Sequence, residues 1–217
     1  MALYSELSGA IERGEAERVV GWARSALGGV IAGDLAVDAV RHPLGFLCLP
    51  VYRHGDAGVC VHLWQPGRGH ERPTTSPTHC HSWELSSWVL VGGLRNQTLV
   101  LDDAGPVTHR VFRVLSGRDG DSIEATDRLV RAEVVTDTTH RAGERYSLAA
   151  GVFHETVVPD SASLVATVAL GRTAPGAADL SLGGLRTTSH RVRRQLCGRA
   201  ETVSAATAVV TSLAHRV

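Results

Sequence analysis

The chain has 217 residues, 43% of them apolar, with a mean hydropathy of +0.01 and zero formal net charge. This describes a single globular domain with helical additions, able to bury a sizeable core and carrying no general attraction for polyanions. All 22 basic residues are arginines, which excludes a lysine Schiff base, hence the usual pyridoxal phosphate attachment, and a P-loop lysine.

The first two dozen residues mix acidic and basic side chains, so no signal peptide or membrane span is expected there. Residues 3–31 read as helix, with Ala16, Val19, Val20, Ala23, Leu27, Val30 and Ile31 forming an apolar stripe. Gly14 is placed to split the segment in two. Such a stripe needs a partner surface, either the outside of a barrel or a second subunit in a homodimer.

From His42 the pattern changes to short strands: Phe46–Tyr52, Val59–Trp64, Trp83–Val91, Thr98–Leu101, Val107–Leu115, Arg131–Thr136, Tyr146–Leu148, Glu155–Val158 and Ser163–Leu170. Turns are expected at Gly55-Asp56 and from Gly117 to Asp121, and a polar loop from Gly67 to Thr78. Many short strands with Gly, Pro and Asp turns predict a mainly β, antiparallel fold, closed or double-sheeted. Thr173 to Gly184 reads as a surface loop, and Val203, Ala206, Val210 and Leu213 predict a C-terminal helix. The basic run His190-Arg191-Val192-Arg193-Arg194 has no aromatic neighbours to stack bases. It reads as a solvated helix face, and no nucleic-acid partner is expected. The division is 1–41 helical extension, 42–172 β domain, 173–217 loop and helix.

Within the β region, His79-Cys80-His81 puts two imidazoles on one strand face, a clamp for a divalent metal. Cys80 between them faces away and reads as a small packed residue. His154, after a glycine turn, supplies a third imidazole from a neighbouring strand. Three neutral nitrogens leave positions open for water, substrate or dioxygen, as in a catalytic site. His62 and Trp64 share one strand face, and Trp83 shares that of the two histidines, so these three are candidates for shaping a pocket. Arg72, Arg141, Arg145 and Tyr146 flank the ligand segments; an arginine at the rim would hold a substrate carboxylate bidentately. Cys48, Cys60, Cys80 and Cys197 show no C-x-x-C spacing, and reduced thiols in a cytoplasmic protein are expected. No G-x-S-x-G elbow, dinucleotide fingerprint or Walker loop occurs, which leaves no nucleotide or flavin site.

The segment Gly143-x5-Ala149-x-Gly151-x2-His154, with His79-x-His81 and the closing Gly92 or Gly93, resembles the two motifs of the cupin superfamily. Ala149 stands where proline is usual, and Val158 where asparagine is. The first motif's glutamate is displaced: Leu85 and Ser86 occupy the expected positions, and Glu84 comes a residue early. On a regular strand Glu84 faces away from the histidines; a bulge would turn it inward. The resemblance covers Pro43 to Arg172. It implies a jelly roll (double-stranded β-helix) and a mononuclear Fe(II) oxygenase with His79, His81 and His154 as ligands. Glu84 would then be a fourth ligand or orient an imidazole, and Tyr146 would be a catalytic neighbour. The implied partners are O2 and a small amino acid, thiol or carboxylate from secondary metabolism. Zn, Mn or Ni in an isomerase, lyase or hydrolase, and a non-enzymatic binding module, are the alternatives.

Overall fold

The computed structural model describes residues 2–65, 74–117, 119–159, 161–162 and 164–215. The N-terminal stripe forms two helices, α1 (Ala2–Arg13) and α2 (Ala16–Ala32), separated at Gly14 as predicted. Among the described residues fourteen strands follow. They are β1 (Val40–His42), β2 (Phe46–His54), β3 (Ala57–Trp64), β4 (His79–Cys80), β5 (Trp83–Val91), β6 (Gly93–Asp102) and β7 (His109–Ser116). Next come β8 (Gly120–Arg141), β9 (Arg145–Leu148), β10 (Phe153–Val157), β11 (Val165–Thr173), β12 (Leu180–Gly183), β13 (His190–Arg193) and β14 (Gln195–Leu196). Helix α3 (Arg199–Ala214) ends the described chain.

The strands form two antiparallel sheets, the jelly-roll sandwich expected from the sequence. The first runs β14-β1-β2-β3-β11-β5-β9, the second β13-β8-β6-β10-β4-β12-β7. The 22-residue β8 pairs with β6 through Arg131–Arg141 and with β7 through Asp121–Val130, so it joins both ends of the second sheet.

Strand alternation gives the first sheet two different faces. Leu47, Leu49, Val59, Val61, Leu63, Trp88, Leu90, Val168 and Leu170 point outward. They merge with Leu7, Ile11, Val19, Ala23, Leu27 and Val30 of the N-terminal helices and Ala206, Val209 and Leu213 of α3 in one buried cluster. The predicted stripe thus finds its partner within its own chain. Leu27 is 0% exposed, and burying a leucine contributes about 2 kcal/mol relative to exposure. The opposite parity, with Cys48, Cys60, His62, Ser87 and Thr167, faces the second sheet. The apolar core therefore lies largely between helices and sheet, and the space between the sheets takes polar groups.

Three readings of the sequence are corrected. The segment from Thr173 to Gly184 is not all loop: β12 pairs with β4 and β7 and buries Ser181 and Leu182. The basic run at 190–194 is no helix face, because β13 pairs with β8. Both are short, and their pairing is decided by sheet edges far away in sequence, not by local pattern. The C-terminal helix exists but turns a different face inward, burying Thr202, Ala205, Ala206, Val209 and Leu213. Thr202 fits because its Oγ1 accepts from the Ala39 N–H at 3.1 Å. Among the described residues no helix is long and apolar enough to cross a membrane.

Candidate metal centre

His79 opens β4, and His154, on β10, lies directly opposite it in register. His81 follows β4 by one residue, where the chain leaves the second sheet for β5 in the first. That crossing is pinned on both sides. The Gly151 N–H donates to the His81 carbonyl at 2.9 Å, and the Ser82 N–H donates to Asp179 Oδ1 at 2.6 Å. Gly151 has φ of 79°, a left-handed conformation that side chains disfavour. It therefore turns the chain tightly enough to dock on His81 and start β10 at the right register.

The three imidazoles meet as a group: their donor nitrogens all lie within 4.8 Å of one another. His79 Nδ1 lies 2.8 Å from the Pro77 carbonyl, and His154 Nδ1 lies 3.0 Å from the Val152 carbonyl. A carbonyl only accepts, so in both rings Nδ1 carries the proton and Nε2 keeps its lone pair. His79 Nε2 and His81 Nε2 are 3.2 Å apart. This is the arrangement in which backbone carbonyls fix the tautomer and aim of ligand imidazoles. Electrostatics agrees. Burial, then the neighbouring His154, pushes His79 down to about 3. Burial and the His79 and His154 imidazoles push His81 well below its ordinary value, and burial lowers His154. All three are neutral near pH 7, the form that binds metal. The donor set thus fits a divalent transition-metal ion.

Around the group, the Trp83 indole stacks on His81 at 4.0 Å between centroids. It also fills the space over Gly171, where an added Cβ would lie 2.7 Å from the ring. Phe46 contacts His62 and Trp64 at 4.6 and 5.0 Å between centroids, and His42 stacks on Phe46 at 4.3 Å. His42 and His62 lie close enough to His79 and His81 to depress their protonation. Five imidazoles therefore share the space between the sheets. Tyr146 packs against the cluster of Phe46, Trp64, Leu94 and Val165. Burial raises its pKa, opposed by Ser87, Asn96 and Thr167, so it remains a neutral hydroxyl.

Two expected residues are not brought to the imidazoles. Glu84 is exposed on the helix-facing parity of β5, opposite Arg172 in register and near Tyr4 of α1. The unbroken strand assumed for it does not exist, since β4 and β5 belong to different sheets. Arg145 shares the parity of Trp88, and its Nη1 donates to the Ile11 carbonyl at 3.0 Å, holding the end of α1. Arg72 lies outside the described residues. Cys80 is buried in a small apolar cluster, as expected. Sequence reasoning passed over His42, Cys48 and Cys60. Their shared inward parity with His62 was legible in the strand alternation; the register joining β2 to β3 was not.

No protein-family model matches the chain, and no curated protein matches it. Among solved structures, the chain is similar to a hydroquinone 1,2-dioxygenase determined with Cd2+ and 4-hydroxybenzonitrile. The TM-score is 0.35 at 12% identity, covering 58% of this chain and 63% of that one. It is also similar to the hydroquinone 1,2-dioxygenase of Sphingomonas sp. TTNP3 with 4-hydroxybenzoate bound, with a TM-score of 0.34 at 12% identity over 59% and 65% of the two chains. The chain spans less than two thirds of the length of either structure.

Proposed function

We infer that this chain is a mononuclear metal-dependent oxygenase of the cupin type, with Fe(II) held by His79, His81 and His154. The observation that carries this reading is the convergence of three neutral imidazoles, two of them held through Nδ1 by backbone carbonyls. Bound Fe(II) would supply positions for an anionic substrate group and for O2. Three neutral ligands cancel none of the ion's charge, which favours a carboxylate, thiolate or amino-acid substrate over a neutral one. The protein's own residues do the rest. Trp83 holds His81 by stacking, Phe46, Trp64 and His62 pack together on the inner face of the first sheet, and Tyr146, buried beside them, keeps its hydroxyl proton. Glu84 and Arg145 have no part in this site.

The test is anaerobic reconstitution with Fe(II), followed by measurement of O2 consumption with panels of small carboxylates, thiols and amino acids. Iron-dependent O2 uptake that requires a substrate supports the reading. Turnover that proceeds without O2 would replace it with a Zn, Mn or Ni isomerase, lyase or hydrolase at the same three histidines.

A further inference from the structure

A second cluster of ligating atoms lies on the inner face of the first sheet, toward the space between the sheets. Cys48 Sγ, Cys60 Sγ and a ring nitrogen of His62 lie within 4.8 Å of one another. The sheet register produces this grouping. Cys48 on β2 stands directly opposite His62 on β3, and Cys60 is two residues from His62 on the same face. Strand alternation sends all three toward the second sheet, while Leu47, Leu49, Val61 and Leu63 between them go to the helix-covered core. Cys48 and His62 are partly exposed, and Cys60 sits at the margin of burial. Neither thiol is engaged in a disulfide. Phe46 and Trp64 flank the imidazole and restrict its motion.

We propose that Cys48, Cys60 and His62 form a second metal site, distinct from the three-histidine group, that takes a soft ion, Zn2+. Two thiolates and an imidazole are a zinc donor set, and three protein ligands leave a fourth position open. The chemistry separates the two sites. Thiolates select zinc over harder ions, whereas three imidazoles do not discriminate sharply between iron and its neighbours. Binding releases the thiol protons to solvent and involves no change of oxidation state. The proposal does not depend on the function inferred for the three-histidine group.

The experiment uses the full chain, stripped of metal under reducing, oxygen-free conditions and titrated with Co2+ as a spectroscopic probe. A thiolate-to-cobalt charge-transfer band should grow in the near ultraviolet and saturate at one thiolate-bound ion per chain. It should persist in His81→Ala and be lost in Cys48→Ser and in Cys60→Ser. The wild-type protein supplies an independent readout if a serine variant does not fold. With free Zn2+ at about 100 times its Kd, alkylation of Cys48 and Cys60 should slow about 100-fold by mass action, while that of Cys80 and Cys197 stays unchanged. Absence of the band in wild type, its survival in either serine variant, or alkylation rates indifferent to Zn2+ would overturn the site. Loss of the band in His81→Ala would assign the thiolate to the three-histidine group and also overturn it. Failure of the three-histidine reading alone would leave the cobalt band and the zinc protection intact.

Discussion

The first sheet presents two faces made by the same strands. Toward the helices it offers leucine, valine and tryptophan, packed against α1, α2 and α3 in one apolar cluster. Toward the second sheet, one residue out of step, it offers Cys48, Cys60, His62, Ser87 and Thr167, and His79, His81 and His154 gather on that side. In an ordinary sandwich the space between sheets is the hydrophobic core. Here much of that role has moved outward, to the layer under the helices. Stability and chemistry are thereby separated by the period of two in a β-strand, and each should be breakable without the other.

The sharpest test of that separation is to remove imidazoles. His79→Ala, His81→Ala and His154→Ala should each abolish high-affinity iron binding. The melting temperature of the metal-free protein should barely move, because the helix-side core is untouched. A collapse in melting temperature in all three would show that the imidazole group is also structural. The converse change is Leu27→Asp, which places a carboxylate among fully buried apolar residues. We expect a loss on the order of 4 kcal/mol in urea unfolding, with metal stoichiometry per folded molecule unchanged. Equal stability in the variant would mean that the helix layer is not the core.

Gly171→Val probes the wall. The new side chain meets the Trp83 ring, which also stacks on His81. Overpacking should cost about 1–3 kcal/mol, and metal affinity should fall about 10-fold through misaligned His81. Calorimetric titration separates the two effects; full affinity would show that Trp83 does not position His81.

His42 gives a pH test. Burial, followed by the influence of His62 and Arg194, lowers its pKa to about 3, against 6.5 when exposed. Between these values the unfolded chain binds the extra proton, so stability falls as pH drops below about 6.5, by at most about 1.4 kcal/mol per pH unit. Above that range both states are neutral and the group contributes no slope. His42→Phe keeps the aromatic contact with Phe46, and the metal-free variant should lose less stability than wild type between about pH 7 and about pH 5. An unchanged slope would show that His42 is accessible to protons in the folded state. The smallest effect belongs to Glu84→Gln, on the exposed side. We expect unaltered iron content and a stability change below about 1 kcal/mol; loss of iron would bring Glu84 back into the site.

Much of this was legible in the sequence, for reasons particular residues make clear. The helix stripe and the strand from Trp83 to Val91 announce themselves by local periodicity, and the three histidines are picked out by the H-x-H alternation together with the resemblance to the cupin motifs. The parity argument against Glu84 as a ligand reached the right side of the sheet through a wrong premise. It assumed one strand from His79 onward, whereas the chain changes sheets at His81-Ser82. Nothing local marks that change, because the bonds that fix it come from Gly151 and Asp179, 70 and 97 residues away. Arg145 failed for the same reason: proximity to a motif in sequence does not specify which face of β9 it takes. β12 and β13 were missed because short strands owe their existence to the partners that flank them. The Cys48–Cys60–His62 grouping needed the β2–β3 register, which no spacing within either strand encodes.

The central claim is that the space between the sheets holds a metal on His79, His81 and His154. It is tested most directly by the iron content of the wild-type chain and of the three single alanine variants, each reconstituted with Fe(II) without oxygen and freed of loosely bound ions. The account predicts one iron per chain in wild type and close to none in each variant, with all four proteins folded. Iron retained at the wild-type level in the three variants would contradict it.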